Sequence, residues 1–534
     1  MLLFAKLSAA FLLSAGLVPF ANAQNPPNAP VPGGRVILVL PFENRSGNPS
    51  LNWIGDSFPD TMDRRFNKSG FLTISRDDRV FAYDHLGLPE GFRPSRATSI
   101  RIAQQLDANF VIIGSFTVAN NRINVQSQVL SVDALQLSAP FADSADINKL
   151  FDAENAIAWK AARAIDPHFN VGESVFLGAP GAVSLPAFEN YVRGANASAP
   201  AERLQRLKQA VTFAPDFPSA LLELGKEQYA ARDFNAAATT LSKVPPASPL
   251  ALEAGFYLGL ARFNSANYPA AETAFAFVAQ HLPLPEVMNN QAVAGSRQGK
   301  DATPLFQRAS TADPSDEDYH FNLAVSLFRR GDVAGAQRET EAALKLKPND
   351  NEAIQLRNQL RTAAPGTRLT APTAGGFSPL ERIRRSYSET SYRQAAFQLE
   401  QLRTARLATV PPGQRAAEYI ALGHDALAQD QLPEAESRFQ SAINEDPKSA
   451  DAHAGLAEVR ERSGDADDAH TEAMTSLRIH PNAPALLVLA RLDIAKNALA
   501  VAADEVSQAL ALDPNNGLAQ SMRTMLQGKG QVVR

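Results

Sequence analysis

Residues 416–449, AAEYIALGHDALAQDQLPEAESRFQSAINEDPKS, set the narrowest limit on what this chain can fold into. Ile420, Gly423 and Leu427 fall at i, i+3 and i+7, and Ala435, Phe439 and Ala442 at i, i+4 and i+7. The stretch therefore spells two helices of about a dozen residues, each with one apolar stripe. Pro433 suits the first turn of the second helix, where its missing N–H would be unpaired anyway, and Pro447 stops that helix. Gly423 and Ala435 are small enough for close helix approach, with Phe439 filling the space between. One hairpin cannot bury either stripe, so the unit implies neighbours of its own kind.

The spacing recurs. Gly225, Phe234, Ala237 and Leu241 return 34 residues later as Gly259, Tyr268, Ala271 and Phe275, which is the tetratricopeptide period. The next copy, with Phe306, Ala309 and Pro314, is three residues short, which predicts a clipped helix or turn. Ala324, Leu327, Gly331, Ala336, Ala343 and Pro348 restore the pattern, and 351–363 reads as a polar capping helix. Residues 187–194 open a degenerate first repeat. A first array over 182–363, a Pro-, Gly- and Thr-rich linker over 364–379 and a second array over 380–528 follow from this pattern. The second array begins with a weak unit at Tyr392, Ala395 and Leu399. After the 416–449 unit come copies marked by Ala457, Gly464, Ala469 and Pro481 and by Ala490, Ala502, Ala509 and Pro514, with 518–527 as a cap.

The first 23 residues read as an address. Lys6 precedes an apolar core over 7–18, and Ala21-Asn22-Ala23 fits a small-x-small cleavage site. Cleavage after Ala23 and a periplasmic or secreted product are predicted. No later stretch reaches the roughly 20 apolar residues of a membrane span. The chain has no cysteine, which excludes disulfides, thiolate metal sites and a lipid anchor on the residue after cleavage. A large exported chain without disulfides points to a bacterial source. Residues 24–34 form a Pro-rich spacer.

Between 35 and 180 the period changes. Val36 to Phe42 is a continuous apolar run, as in a buried strand, and a helix containing Met62 to Phe66 is predicted to start near Ser57 or to kink at Pro59. A short strand over 71–75, helices over 77–85 and 95–106, strands over 110–118 and 122–131 joined at Asn120-Asn121, a weaker strand over 135–141 and a helix over 145–165 complete an α/β or α+β domain. The segments RVILVLPFENRSGNPSLNWIGDSF and RIAQQLDANFVIIGSFTVANNRINVQSQVLSVDA resemble the small α/β domain at the N-terminus of TolB and of bacterial envelope proteins of the FlgO and CsgG type. That resemblance implies an envelope protein without signalling catalysis. Pro59 departs from the helix formers usual there, and a leader stands where a catalytic or DNA-binding domain often precedes such a pairing.

The formal charge of −5, from 51 basic and 56 acidic residues well mixed, argues against a nucleic-acid binder. Hydrolase, zinc-protease, P-loop and dinucleotide motifs are missing, so no enzyme activity and no cofactor are predicted. Asp465, Asp467, Asp468 and His470 lack calcium-loop spacing.

The candidate partner surface lies on the first helices of successive repeats, where Leu222 and Tyr229, Phe256 and Phe263, and Phe321 and Phe328 form pairs seven residues apart. By resemblance to tetratricopeptide proteins, that helix lines a concave face. The aromatics then either form a groove for an amphipathic helix or extended peptide, or pack between repeats; periodicity does not separate the two. Asn264, Arg329 and His424, with Lys226, Glu458 and Arg462, are polar residues placed nearby. Arg382, Arg384 and Arg385 form a basic cluster read as the solvated start of a helix. The leading reading is an exported, non-enzymatic adaptor of the bacterial cell envelope that holds protein or peptide partners through its repeats. Its N-terminal domain would dock on a second envelope component. The alternative is a small-ligand or cell-wall binding protein acting through the N-terminal domain, with the repeats as a spacer.

Overall fold

The computed structural model describes residues 36–533, apart from 68, 70, 90–91, 168, 170, 178–182, 247, 249, 370–376, 387–404, 408 and 429–430. The predicted leader, the spacer, the middle of the linker and the unit at Tyr392, Ala395 and Leu399 lie outside the described residues.

The N-terminal region is built on a mixed sheet. Its elements are β1 (Val36–Val39), β2 (Glu43–Asn44), α1 (Asn52–Asn67), β3 (Leu72–Thr73), α2 (Arg76–His85), α3 (Arg96–Gln105), β4 (Phe110–Ala119), β5 (Arg122–Ser131), β6 (Gln136–Leu137), β7 (Phe141–Asp146), α4 (Leu150–Ile165) and α5 (Glu173–Leu177). The strand order is β3-β1-β4-β5-β6, with β2 also on β4 and β7 also on β5. β1 runs parallel to both neighbours, and β4, β5, β6 and β7 are antiparallel. Strand alternation divides the core: Ile37, Val39, Ile112 and Val125 face α1 and α4, whereas Leu38, Leu40, Val111 and Leu130 face α2 and α3. Ser75 and Ser95 cap α2 and α3, accepting from the amides of Asp78 and Thr98. Asn120 and Asn121 take φ of 50° and 60°, the left-handed pair that a two-residue hairpin requires.

Two expectations are corrected. Residues 145 and 146 belong to β7 rather than to the following helix, because β5 supplies the ladder through Arg122 opposite Asp146 and Ile123 opposite Ala145. Helix α1 also does not start near Ser57; it starts at Asn52 and runs through Pro59. Proline removes the N–H that would bond the Gly55 carbonyl. That carbonyl accepts instead from the Phe42 N–H at 3.0 Å, so the helix gap becomes the seat on which the end of the first strand docks.

The rest is helical. The first array comprises α6 (Leu185–Ala195), α7 (Pro200–Phe213), α8 (Pro218–Ala230), α9 (Phe234–Leu241), α10 (Ala251–Asn264), α11 (Tyr268–His281), α12 (Pro285–Ser296), α13 (Thr303–Ala312), α14 (Glu317–Arg330), α15 (Val333–Leu346) and α16 (Asn351–Thr362). The second comprises α17 (Pro412–Ala428), α18 (Leu432–Glu445), α19 (Ala450–Arg462), α20 (Ala466–Ile479), α21 (Ala483–Ala495), α22 (Leu499–Leu512) and α23 (Gly517–Gly528). Phe439 lies between Gly423 and Gly455. A Cβ on Gly455 would come within 2.3 Å of its ring, and one on Gly423 within 2.7 Å, so the ring has nowhere to retreat. Gly455→Ala should cost about 1–3 kcal/mol by overpacking, less the roughly 1 kcal/mol that alanine's helix propensity returns. A lowered urea midpoint at unchanged slope is the expected reading.

Both arrays are rooted in one core. The cluster beneath the sheet continues through Phe176 of α5 into Phe188, Tyr191 and Phe217 of the first array, and into Leu427, Phe439 and Val459 of the second. Glu436 accepts from the Gly172 amide at 3.0 Å, and Ser174 donates to Asp465 at 3.0 Å. Lys226 of α8 is half-buried between Asp77 of α2 and Glu223 and Glu253, at 2.7, 3.4 and 3.0 Å. Among the described residues no helix is long and apolar enough to cross a membrane.

Candidate functional site: a main-chain clamp in the first array

A stretch of the chain itself lies across α12 and α14 of the first array and reaches Phe263 of α10. Residues 377–384 have no regular secondary structure. Arg382 and Arg384 therefore do not start a helix, and of the predicted solvated cluster only Arg385 is exposed. Asn322 of α14 donates to the Arg382 carbonyl at 2.7 Å and accepts from the Arg382 N–H at 2.7 Å. Asn289 of α12 donates to the same carbonyl at 3.0 Å and accepts from Asn322 at 2.8 Å. Asn290 repeats the pattern two residues on, giving to the Arg384 carbonyl at 2.8 Å and taking from its N–H at 2.7 Å. All three asparagines are fully buried. A side-chain amide matches the N–H and C=O that one residue presents on the same side of the chain, so these contacts involve backbone, whatever residues the backbone carries.

Side chains add the selectivity. The Glu381 carboxylate is completely buried, held by Arg297 and Arg329 at 2.8 Å each and by the Ser296 hydroxyl at 2.6 Å. The Arg382 guanidinium lies 3.9 Å over the Phe321 ring. It meets Asp350 through two bonds of 2.6 and 2.9 Å, Asp318 at 2.8 Å and Glu352 at 2.7 Å. Arg384 pairs with Asp316 and, at 3.2 Å, with Asp318. Asp316 and Asp350 are also the N-caps of α14 and α16, where helix dipoles favour negative charge. Burial pushes the Asp350 carboxyl up, but hydrogen bonds from Arg382 and the Ala353 amide outweigh it and hold the group below its usual range. Ile383 packs among the apolar residues around Phe263 and Leu327.

Of the residues singled out from sequence, Phe263, Phe321 and Arg329 come together here. Phe256 and Phe328 do not: they are 1% and 2% exposed, within the packing between repeats, and cannot present a ring to a partner. Phe321 is also buried, with one face covered by the bound arginine. Tyr229 and Asn264 lie together, 3.4 Å apart, and Asn264 is exposed. His424 is exposed on α17 of the other array, its ring 5.1 Å from Phe439. Glu458 and Arg462 pair with one another at 2.6 Å. Sequence reasoning missed the three asparagines. Asn289 and Asn322 stand 33 positions apart on successive first helices, one repeat on from Phe256, and a recurring amide on an apolar face was the available signal. Among the described residues no group of three or more potential ligands could hold a metal, and Asp465 serves as the N-cap of α20.

A second concavity, of about 970 Å³, lies on the N-terminal domain, with Glu43, Asp56, Arg79, Tyr83, Gln126 and Gln128 in its wall.

Residues 294–360 and 426–482 match the family described as Tetratricopeptide repeat. Both arrays thus carry tetratricopeptide repeats. A curated relative, "Putative adenylate cyclase 3" of Rhizobium meliloti (strain 1021), is 26% identical over 188 residues, 34% of this chain and 30% of that protein. The chain thus spans under a third of that relative's length. Among solved structures, MamA 41-end from Desulfovibrio magneticus RS-1 is 20% identical with a TM-score of 0.30, covering 32% of this chain and 99% of that one. YrrB, a TPR protein with an unusual peptide-binding site, is 11% identical with a TM-score of 0.26, over 46% of this chain and 95% of that one.

Proposed function

We propose that this protein is an exported, non-enzymatic adaptor of the bacterial cell envelope, and that the inner face of its first repeat array binds an extended segment of a partner protein. The observation that carries the reading is the asparagine set, Asn289, Asn290 and Asn322, each fully buried and each bonded to main chain that crosses the helices. Buried amides stay satisfied only while a peptide lies against them, and an unmet one costs about 1–3 kcal/mol. The apolar leader and Ala21-Asn22-Ala23 support export, and the mixed sheet is compatible with the TolB-like resemblance.

In-cell crosslinking of the mature chain tests the site. Asn289→Ala with Asn322→Ala, shown by circular dichroism to keep its helices, is expected to lose a partner that the wild type captures. Equal capture would remove the groove from the account. Fractionation with N-terminal sequencing should find Gln24 first, in the periplasm or the medium. The concavity on the N-terminal domain favours one further reading, a polar small ligand bound there; a cell-wall fragment that raises the melting temperature of the full chain would support it.

A further inference from the structure

We infer that residues 379–385 are a resident ligand of the first array, and that the partner displacing them carries an extended segment with the pattern acid, arginine, any apolar residue, arginine. The inference rests on reading the inner face as a peptide site. Its basis is what holds the segment down. Apolar contact supplies part of the anchoring, since Pro379 is buried and Phe377 and Ile383 pack against the repeats, while Leu380 is exposed. The rest comes from amides matched to main chain and from charges matched one by one: Glu381 to Arg297 and Arg329, Arg382 to Asp318, Asp350 and Glu352, and Arg384 to Asp316 and Asp318. Buried ion pairs add little net stability against apolar replacements, but they discriminate sharply between segments. Three fully buried asparagines and a fully buried glutamate thus constitute a recognition site in its bound state.

The pocket chemistry dictates the partner. Two arginines and a serine hydroxyl demand a carboxylate at the first position. An aromatic face ringed by three carboxylates demands a guanidinium at the second, because a planar fork can stack on Phe321 and bond Asp350 through two nitrogens at once where an ammonium cannot. The apolar edge near Phe263 and Leu327 takes the third side chain, and Asp316 and Asp318 take the fourth. The tether makes occupancy by the chain's own segment effectively intramolecular, so a partner must outcompete a high local concentration.

The test uses the full mature chain and a labelled synthetic peptide with the sequence of residues 377–386, FSPLERIRRS. Glu381→Ala, Arg382→Ala and Arg384→Ala together weaken the resident segment while leaving the groove intact. Fluorescence anisotropy should show this variant binding the peptide at least tenfold more tightly than wild type, and a peptide with both central arginines changed to glutamine should not bind. Equal binding by variant and wild type would overturn the resident ligand while leaving the groove as a peptide site. Failure of both to bind would overturn the groove reading as well. Should the triple variant not fold, hydrogen exchange on the wild type decides the matter. Excess peptide is expected to deprotect the amides of Arg382 and Arg384 in the chain itself, and protection unchanged at saturating peptide would overturn the inference.

Discussion

Gly55→Ala should destabilise the N-terminal domain by roughly 3 kcal/mol or more, at the upper end of what overpacking usually costs. A methyl at this position would lie 2.2 Å from the Phe42 carbonyl oxygen, and the obstacle is backbone that cannot rotate aside. The Phe42 N–H is bonded to the Gly55 carbonyl, and the Leu40 N–H to the Ile112 carbonyl, so withdrawing the strand end breaks the contacts that replace the hydrogen bond missing at Pro59. Alanine's better helix propensity, about 1 kcal/mol, is too small to reverse the sign. A urea titration followed by tryptophan fluorescence measures the effect, since Trp53 is buried in α1 and Trp159 sits in α4. A loss under 1 kcal/mol would mean that α1 slides off its seat at little cost.

The second large effect is a pH dependence. Glu154 of α4 is fully buried against α1, bonded to Thr61 at 2.7 Å and to Ser57. Burial pushes its carboxyl up from 4.5 to about 7, against the lowering influence of those two hydroxyls and of Arg64, with Asp60 adding to the rise. A carboxyl raised on folding binds its proton more tightly in the native state than in the unfolded chain. Its contribution is therefore complete below pH 4.5 and is lost as the pH climbs to about 7, a change of roughly 3 kcal/mol. Asp56, raised to about 6 by burial, acts in the same sense, and burial raises Asp60 and Asp63 too. Between pH 5 and 8 the wild type should lose stability steadily. Glu154→Gln keeps the shape and the hydroxyl contacts without a titrating proton, so it should match wild type near pH 5 and exceed it at pH 8. Parallel stability profiles would place the titrating group elsewhere.

How far the sequence could be read depended on whether partners were local. The hairpin of α17 and α18 was visible because Gly423, Ala435 and Phe439 obey the helical period and meet within one unit. Residues 141–146, FADSAD, carry almost no strand propensity and form β7 only because β5 offers its ladder, a tertiary effect outside any local window. Pro59 misled for the same reason, since its missing bond is compensated by a strand earlier in the chain. The clamp was the least legible part. Asn289 bonds to a carbonyl 93 residues away, and its ligand is a run of arginines that local composition marks as solvated. The aromatic pairs drew attention to the right helices, yet residues 381–384 are held mainly by amides and charged side chains, while most of those rings hold the repeats together.

The shared root of the two arrays changes what the intervening segment does. In a simple tandem array the reach between two bound partners is set by linker length, and avidity falls as that linker grows. Here the bases of both arrays are fixed to one sheet domain through Phe188, Phe217, Leu427 and Phe439. Inserting residues between α16 and α17 should leave the separation of the two array bases unchanged. The molecule would work as a calliper of preset width, its gauge written in the packing of the N-terminal domain.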